Sequence, residues 1–132
     1  MSTGRLTEQL VCSMPTRVGL LADVAEALRE VGVNIMAISA YERDGKGKFL
    51  MVTDDNVKAT AALARLNAEV RARAVVAVEM PNRVGALDEV ARKIAEAGVN
   101  IDYIYGTGGG AETATVIFAT DEDDEVLELV NR

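Results

Sequence analysis

A chain of 132 residues, 49% of them apolar and only 4% aromatic, suits one ordinary domain or two very small ones with a core of Val, Ala, Leu and Ile. Its net charge of −7 argues against a nucleic-acid groove or a basic membrane-binding face, because phosphates would repel it. A single cysteine, Cys12, and no histidine leave no intrachain disulfide and no imidazole for base catalysis or metal binding. A reducing compartment follows. No apolar run approaches the roughly 20 residues that span a bilayer, and MSTGRLTEQL at the start has no apolar signal segment. A soluble, cytoplasmic chain is expected.

In chain order, Leu6–Met14 reads as a strand closed by Pro15. A helix of about Val18–Val31 follows, with Val18, Leu21, Val24, Leu28 and Val31 spaced three or four apart as one buried stripe. Gly32 ends it. Asn34–Tyr41 is a strand, Asp44-Gly45-Lys46-Gly47 a hairpin turn and Lys48–Val52 the returning strand. Asp54, Asp55 or Asn56 caps a second helix that runs to about Leu66. Val70–Val78 is extended, and a strand Val75–Met80 begins inside it. Then come a helix of about Val84–Ala97, strands of about Asn100–Tyr105 and Thr113–Ala119, and a last helix of about Glu122–Val130 with Asp121 as its cap.

The second half repeats the first. MPTRVGLLADV at residues 14–24 returns as MPNRVGALDEV at residues 80–90, an offset of 66. Gly32, Val33, Asn34 and Ile35 return as Gly98, Val99, Asn100 and Ile101. Beyond the glycines the offset becomes 67, so that Thr53 and Asp54 meet Thr120 and Asp121. Such self-similarity marks a duplicated supersecondary unit. Each copy reads βαββα, the split βαβ or ferredoxin-like pattern, with an antiparallel sheet and helices on one face. The expected fold class is therefore α+β, two βαββαβ units in tandem, with domains at 1–74 and 75–132. The second unit lacks its last strand, so its sheet has a bare edge unless something covers it, and an uncovered edge invites pairing with another chain.

The phrase M-P-x-R-V-G-x-L, an amphipathic helix and then G-V-N-I resemble the ACT domain, and residues 6–130 resemble the small proteins made of two ACT domains in tandem. That resemblance implies an amino-acid-sensing regulatory module, paired with another, with ligand at the interface between two of them. Such domains often carry Pro directly before the loop glycine; here Val18 and Val84 stand there. No catalytic domain accompanies the repeats, so a regulated target would be another protein.

Physical chemistry favours a zwitterion at the repeated loop. Gly19 and Gly85 each precede a helix, whose first N–H groups are unpaired and carry partial positive charge. A glycine there lets a ligand reach the backbone. Charge-assisted hydrogen bonds contribute about 1.5–3 kcal/mol each, so two or three suffice for a micromolar-to-millimolar ligand. Asn34 and Asn100 offer amides that donate to a carboxylate and accept from an ammonium; the resemblance sets this Asn opposite the loop of a partner domain. Asp102 can hold an ammonium, whereas its counterpart is Met36. Tyr103 and Tyr105 stand beside it and can line the same interface or simply pack. The candidate ligand-binding residues are Arg17, Val18, Gly19, Leu20, Asn34 and Ile35 in the first copy. In the second they are Asn82, Arg83, Val84, Gly85, Ala86, Leu87, Asn100, Ile101 and Asp102. Plain turns at the glycines, local backbone bonds at the asparagines and a solvated Asp102 are the structural alternatives.

Other stretches point elsewhere. Gly108-Gly109-Gly110 lacks the Lys-Ser or Lys-Thr and the following helix of a phosphate loop and reads as a hairpin turn. The acidic run Asp121–Glu125 lacks the alternating ligands of a calcium loop and suits a helix start. Cys12 lies mid-strand as packing. No metal or cofactor is expected. The leading reading is a non-catalytic, amino-acid-binding homodimer that acts on a partner protein. A ligand-free assembly module is the alternative, and a small enzyme the remote third, since the usual nucleophile–base pairs are missing.

Overall fold

Alternating apolar and polar residues make strands and the three-to-four spacing makes helices, and both periods hold in the computed structural model. It describes residues 1–108 and 110–132; the middle of the Gly108-Gly109-Gly110 turn lies outside them. The elements are β1 (Thr3–Pro15), α1 (Leu20–Glu30), β2 (Ile35–Arg43), β3 (Lys46–Thr53), α2 (Asn56–Ala64), β4 (Glu69–Pro81), α3 (Ala86–Glu96), β5 (Ile101–Thr107), β6 (Thr113–Thr120) and α4 (Asp123–Val130). They divide into a first unit, Glu8–Arg73, and a second, which joins Met1–Thr7 to Ala74–Arg132.

In the first unit the strand order is β2-β3-β1-β4. β3 pairs antiparallel with β1, Cys12 opposite Phe49, and with β2, Ile38 opposite Met51. Leu10, Cys12 and Met14 alternate onto the face that α1 and α2 cover. With Leu20, Val24, Leu28, Phe49, Met51, Ala62 and Leu63 they form one core. Leu50 and Val52, on the opposite face by alternation, are buried as well. Asp55 caps α2, its carboxylate accepting the Lys58 backbone N–H at 3.1 Å. That selects one of the three predicted caps.

In the second unit the order is β1-β4-β6-β5, with Val78 opposite Val116 in the β4–β6 pair. Val76, Val78, Met80, Val90, Ile94, Phe118, Val126 and Val130 form its core. Among the described residues no strand follows α4, as the sequence predicts. The place beside β4 is taken by Thr3–Thr7 of β1, which starts at Thr3 rather than Leu6. Gly4 fixes this segment to the end of α4: its N–H donates to Asn131 Oδ1 at 2.8 Å, and Asn131 Nδ2 donates to the Gly4 carbonyl at 3.0 Å. The edge left without a strand of its own is thus covered from within the chain. The two overlapping runs predicted at Val70–Met80 are one continuous strand, Glu69–Pro81.

Two expectations are corrected. The apolar stripe of α1 does not begin at Val18 and Leu21. Val18 is fully exposed, Leu21 is exposed, and the buried positions are Leu20, Val24 and Leu28. Gly19 adopts φ +86°, which stops the helix short of Val18 and turns Leu20 inward. Asp121 does not cap α4; Glu122 holds the N-cap position without a side-chain cap. The Thr120 hydroxyl instead accepts the Glu122 N–H at 3.2 Å and donates to Asp123 Oδ1 at 2.8 Å.

Candidate functional site

Both repeats present a loop, a left-handed glycine and a helix start. Gly19 and Gly85 stand at the N-cap positions of α1 and α3 with φ +86° and +90°, and neither helix has a side-chain cap. The Leu20 and Ala86 N–H groups donate to the Arg17 and Arg83 carbonyls at 3.2 Å, and the dipole of each helix start favours an anion beside the N–H groups that follow. The arginines before these glycines behave alike: Arg17 pairs with Asp23, and Arg83 pairs with Glu89 at 3.0 Å, both half exposed. Either guanidinium is therefore already balanced.

Beyond the helix start the repeats differ. In the second unit an open pocket of about 290 Å³ lies at the start of α3. Met80, Pro81, Ala86, Leu87, Ile104, Ala114 and Val116 give it an apolar lining; Asn82, Arg83 and Thr107 are its polar side chains, and Gly106 and Gly108 complete the wall. Gly106 admits no side chain, since a Cβ there would meet the Thr115 carbonyl at 2.7 Å. Asn82 holds the hairpin that forms one wall. Its Nδ2 donates to the carbonyls of Gly108 at 3.1 Å and Ala111 at 2.8 Å, and its N–H donates to the Glu112 carbonyl at 2.9 Å.

In the first unit the corresponding position is full. Leu20 stands where Ala86 stands in the second, Gly47 where Ala114 stands, and Phe49 where Val116 stands. The Leu20 side chain is 7% exposed and lies over Gly47, where a Cβ would come within 2.5 Å of Leu20 Cδ2 and 3.3 Å of Phe49 Cε1. A different hollow of about 350 Å³ in this unit, between Leu10, Val57, Val70 and Arg71, meets the start of α2. There the Asp55 carboxylate already serves the helix N–H groups.

Of the residues singled out from sequence, the structure gathers Asn82, Arg83, Ala86 and Leu87 at one pocket, with Val84 and Gly85 on the same loop. Val84 is fully exposed, as is Val18. Asn100, Ile101 and Asp102 lie at the other end of β5 and do not line it. Asn100 Nδ2 reaches Asp102 Oδ1 at 3.5 Å beside a break in the β5–β6 register. Asn34 bonds locally: its N–H donates to Asp54 Oδ1 at 2.9 Å, and its carbonyl accepts the Asp54 N–H at 3.2 Å. Ile35 packs against the first core. Ile104 and Gly106 line the pocket; strand alternation puts Tyr103 and Tyr105 on the opposite face of β5. Burial pushes the Tyr105 phenol up, and Tyr103 adds to the shift.

Sequence reasoning missed Met80, Pro81, Ile104, Gly106, Thr107, Gly108, Ala114 and Val116 as pocket residues. The unequal residue sizes at the aligned positions Leu20/Ala86 and Phe49/Val116 were the available signal. Among the described residues no group of three or more Asp, Glu or Cys is placed to hold a metal, and no helix is long and apolar enough to cross a membrane.

The ACT domain family model matches residues 9–71 and again residues 74–130. The chain belongs to the ACT domain family. It carries the domain twice, in tandem, and each ACT unit is mixed α+β with an antiparallel sheet. No curated protein matches it. Among solved structures, protein BT0572 of Bacteroides thetaiotaomicron is similar at 27% identity and TM-score 0.86, over 96% of this chain and 87% of that one. The ligand-free regulatory subunit of aspartate kinase from Thermus thermophilus has the same fold, with 19% identity, TM-score 0.68 and 96% and 93% coverage. The corresponding subunit from Thermus flavus gives 22%, 0.66, 98% and 94%.

Proposed function

We propose that this tandem ACT protein is a non-catalytic sensor of a free amino acid. The observation that carries the proposal is the apolar pocket at the uncapped start of α3. The ligand carboxylate lies against the first N–H groups of α3, where the helix dipole favours negative charge. The ligand side chain takes the apolar part of the pocket. A second ACT module, from a homodimer, closes over the site and brings Asn34 or Asn100 with its neighbours Ile35, Ile101 and Asp102 to the ligand amino group. The second repeat is the sensing one; Arg17, Val18, Gly19 and Leu20 form its structural counterpart. The lone buried Cys12 suits a cytoplasmic protein.

Regulation requires the ligand to bind one arrangement of the modules more tightly than another. Structures of the same fold are regulatory subunits of aspartate kinase. The proposal accordingly sets the output of this chain in a separate partner protein.

The test is thermal unfolding of the protein with each of the twenty amino acids at millimolar concentration. A ligand present at about 100 times its Kd stabilises by about 2.7 kcal/mol, which shifts Tm by several degrees. Stabilisation by a small subset of amino acids is expected. No shift with any of them contradicts the sensor reading and leaves a ligand-free assembly module, which the exposed Leu21, Met36 and Ile38 of the first unit favour.

A further inference from the structure

We infer that the second unit alone takes the ligand, and that this ligand is an amino acid with a branched aliphatic side chain, leucine, isoleucine or valine. The inference rests on the sensor proposal and adds the ligand class and the stoichiometry.

The first unit shows what completes this position. There the chain supplies its own leucine: Leu20 is nearly buried, lies over Gly47 and has Phe49 beside it. In the second unit Ala86, Ala114 and Val116 replace Leu20, Gly47 and Phe49 with less than half the side-chain carbon. Those three residues line the open pocket. A pocket of about 290 Å³ is at the small end of the roughly 300–1,000 Å³ range that holds drug-sized ligands. An aliphatic ligand side chain would restore the contacts that Leu20 makes in the first unit and withdraw apolar surface from water.

Charge narrows the class. Arg83 is the one charged residue in the described lining, and Glu89 already engages its guanidinium, with Oε1 at 3.0 Å and Oε2 at 3.2 Å. A lysine side chain would meet no carboxylate in the pocket wall. An aspartate side chain would compete for an arginine that is already paired. Either would lose hydration without replacement, which is costly. The Asn82 amide donates to two hairpin carbonyls, so it positions the wall rather than reading a polar side chain.

Isothermal titration calorimetry on the full chain tests this, with leucine, isoleucine, valine, threonine, phenylalanine, aspartate and lysine as probes. The expected result is one site per chain, with leucine, isoleucine or valine bound at least tenfold more tightly than lysine or aspartate. Ala86→Leu, which copies the first unit, should lose tenfold or more in affinity for the best ligand while its Tm without ligand is equal or higher. Val116→Phe copies the other half of the plug and should act in the same direction, so the test stands even where one variant folds poorly. Two equivalent sites per chain, or unchanged affinity in both folded variants, overturns the inference. Preference for lysine, aspartate, threonine or phenylalanine overturns it too, yet leaves the sensor proposal standing. Absence of binding by all seven overturns the inference, and absence of a thermal shift with all twenty amino acids overturns the sensor proposal as well.

Discussion

The starts of α1 and α3 are built from nearly the same letters, MPTRVGL and MPNRVGA, and fold to nearly the same backbone. Gly19 and Gly85 have φ values of +86° and +90°, and both helices open without a side-chain cap. Yet one start ends in a leucine seated over a glycine and the other in an alanine that borders a pocket. A duplicated unit can keep its scaffold and change its use by altering a few side-chain volumes. Backbone geometry gives both copies a helix start without a side-chain cap; residue size decides which copy has an open pocket beside it.

The two copies should respond alike where their cores are equally filled. Leu28 and Ile94 occupy equivalent helix positions and are each almost fully buried. Leu28→Ala and Ile94→Ala should each cost about 2–5 kcal/mol in urea unfolding. Costs of the same size would show two cores of similar quality. A cost below about 1 kcal/mol at either site would mean that its core is looser than its burial indicates.

The second helices sharpen the contrast at smaller scale. Asp55 bonds the Lys58 N–H, whereas Glu122 at the equivalent point makes no side-chain cap. Asp55→Ala should cost about 1 kcal/mol, and Glu122→Ala should stay within about 0.5 kcal/mol, as surface changes do. Equal losses in the two variants would contradict the assignment of caps.

The smallest effect is confined to alkaline pH. Cys12 and Val78 are equivalent and fully buried. Burial pushes the Cys12 thiol from an ordinary value of 9.0 up to about 11. The folded state therefore holds a proton that the unfolded state releases first. Stability is fully present below pH 9 and falls as pH rises through about 11. Cys12→Val, which copies the second core, should lose less stability across that interval, as read by denaturant unfolding at stepped pH. Identical pH profiles for the two proteins would contradict a buried, protonated thiol.

Much of the fold was legible because the repeat states it twice. The turn glycines, the apolar spacing of Val24 and Leu28 and the alternation of Leu10, Cys12 and Met14 each point to one local structure. Thr3–Arg5 was not legible as a strand, since TGR has no apolar alternation and owes its extension to pairing beside β4 and to Asn131. The true start of α1 was hidden because Val18 keeps helical spacing, and only the positive φ of Gly19 excludes it. At the site, the loop and its glycine could be read from local chemistry. Ile104 and Gly106 could not, because they reach the pocket from a strand distant in sequence and carry no reactive group to announce them.

Amide NMR titration of the labelled protein with leucine separates the two loops. The largest shifts are expected at Asn82–Leu87 and Ile104–Gly108, with Thr16–Leu21 nearly still. Shifts at Thr16–Leu21 as large as those at Asn82–Leu87, or none in either loop, would contradict a single sensing pocket at the start of α3.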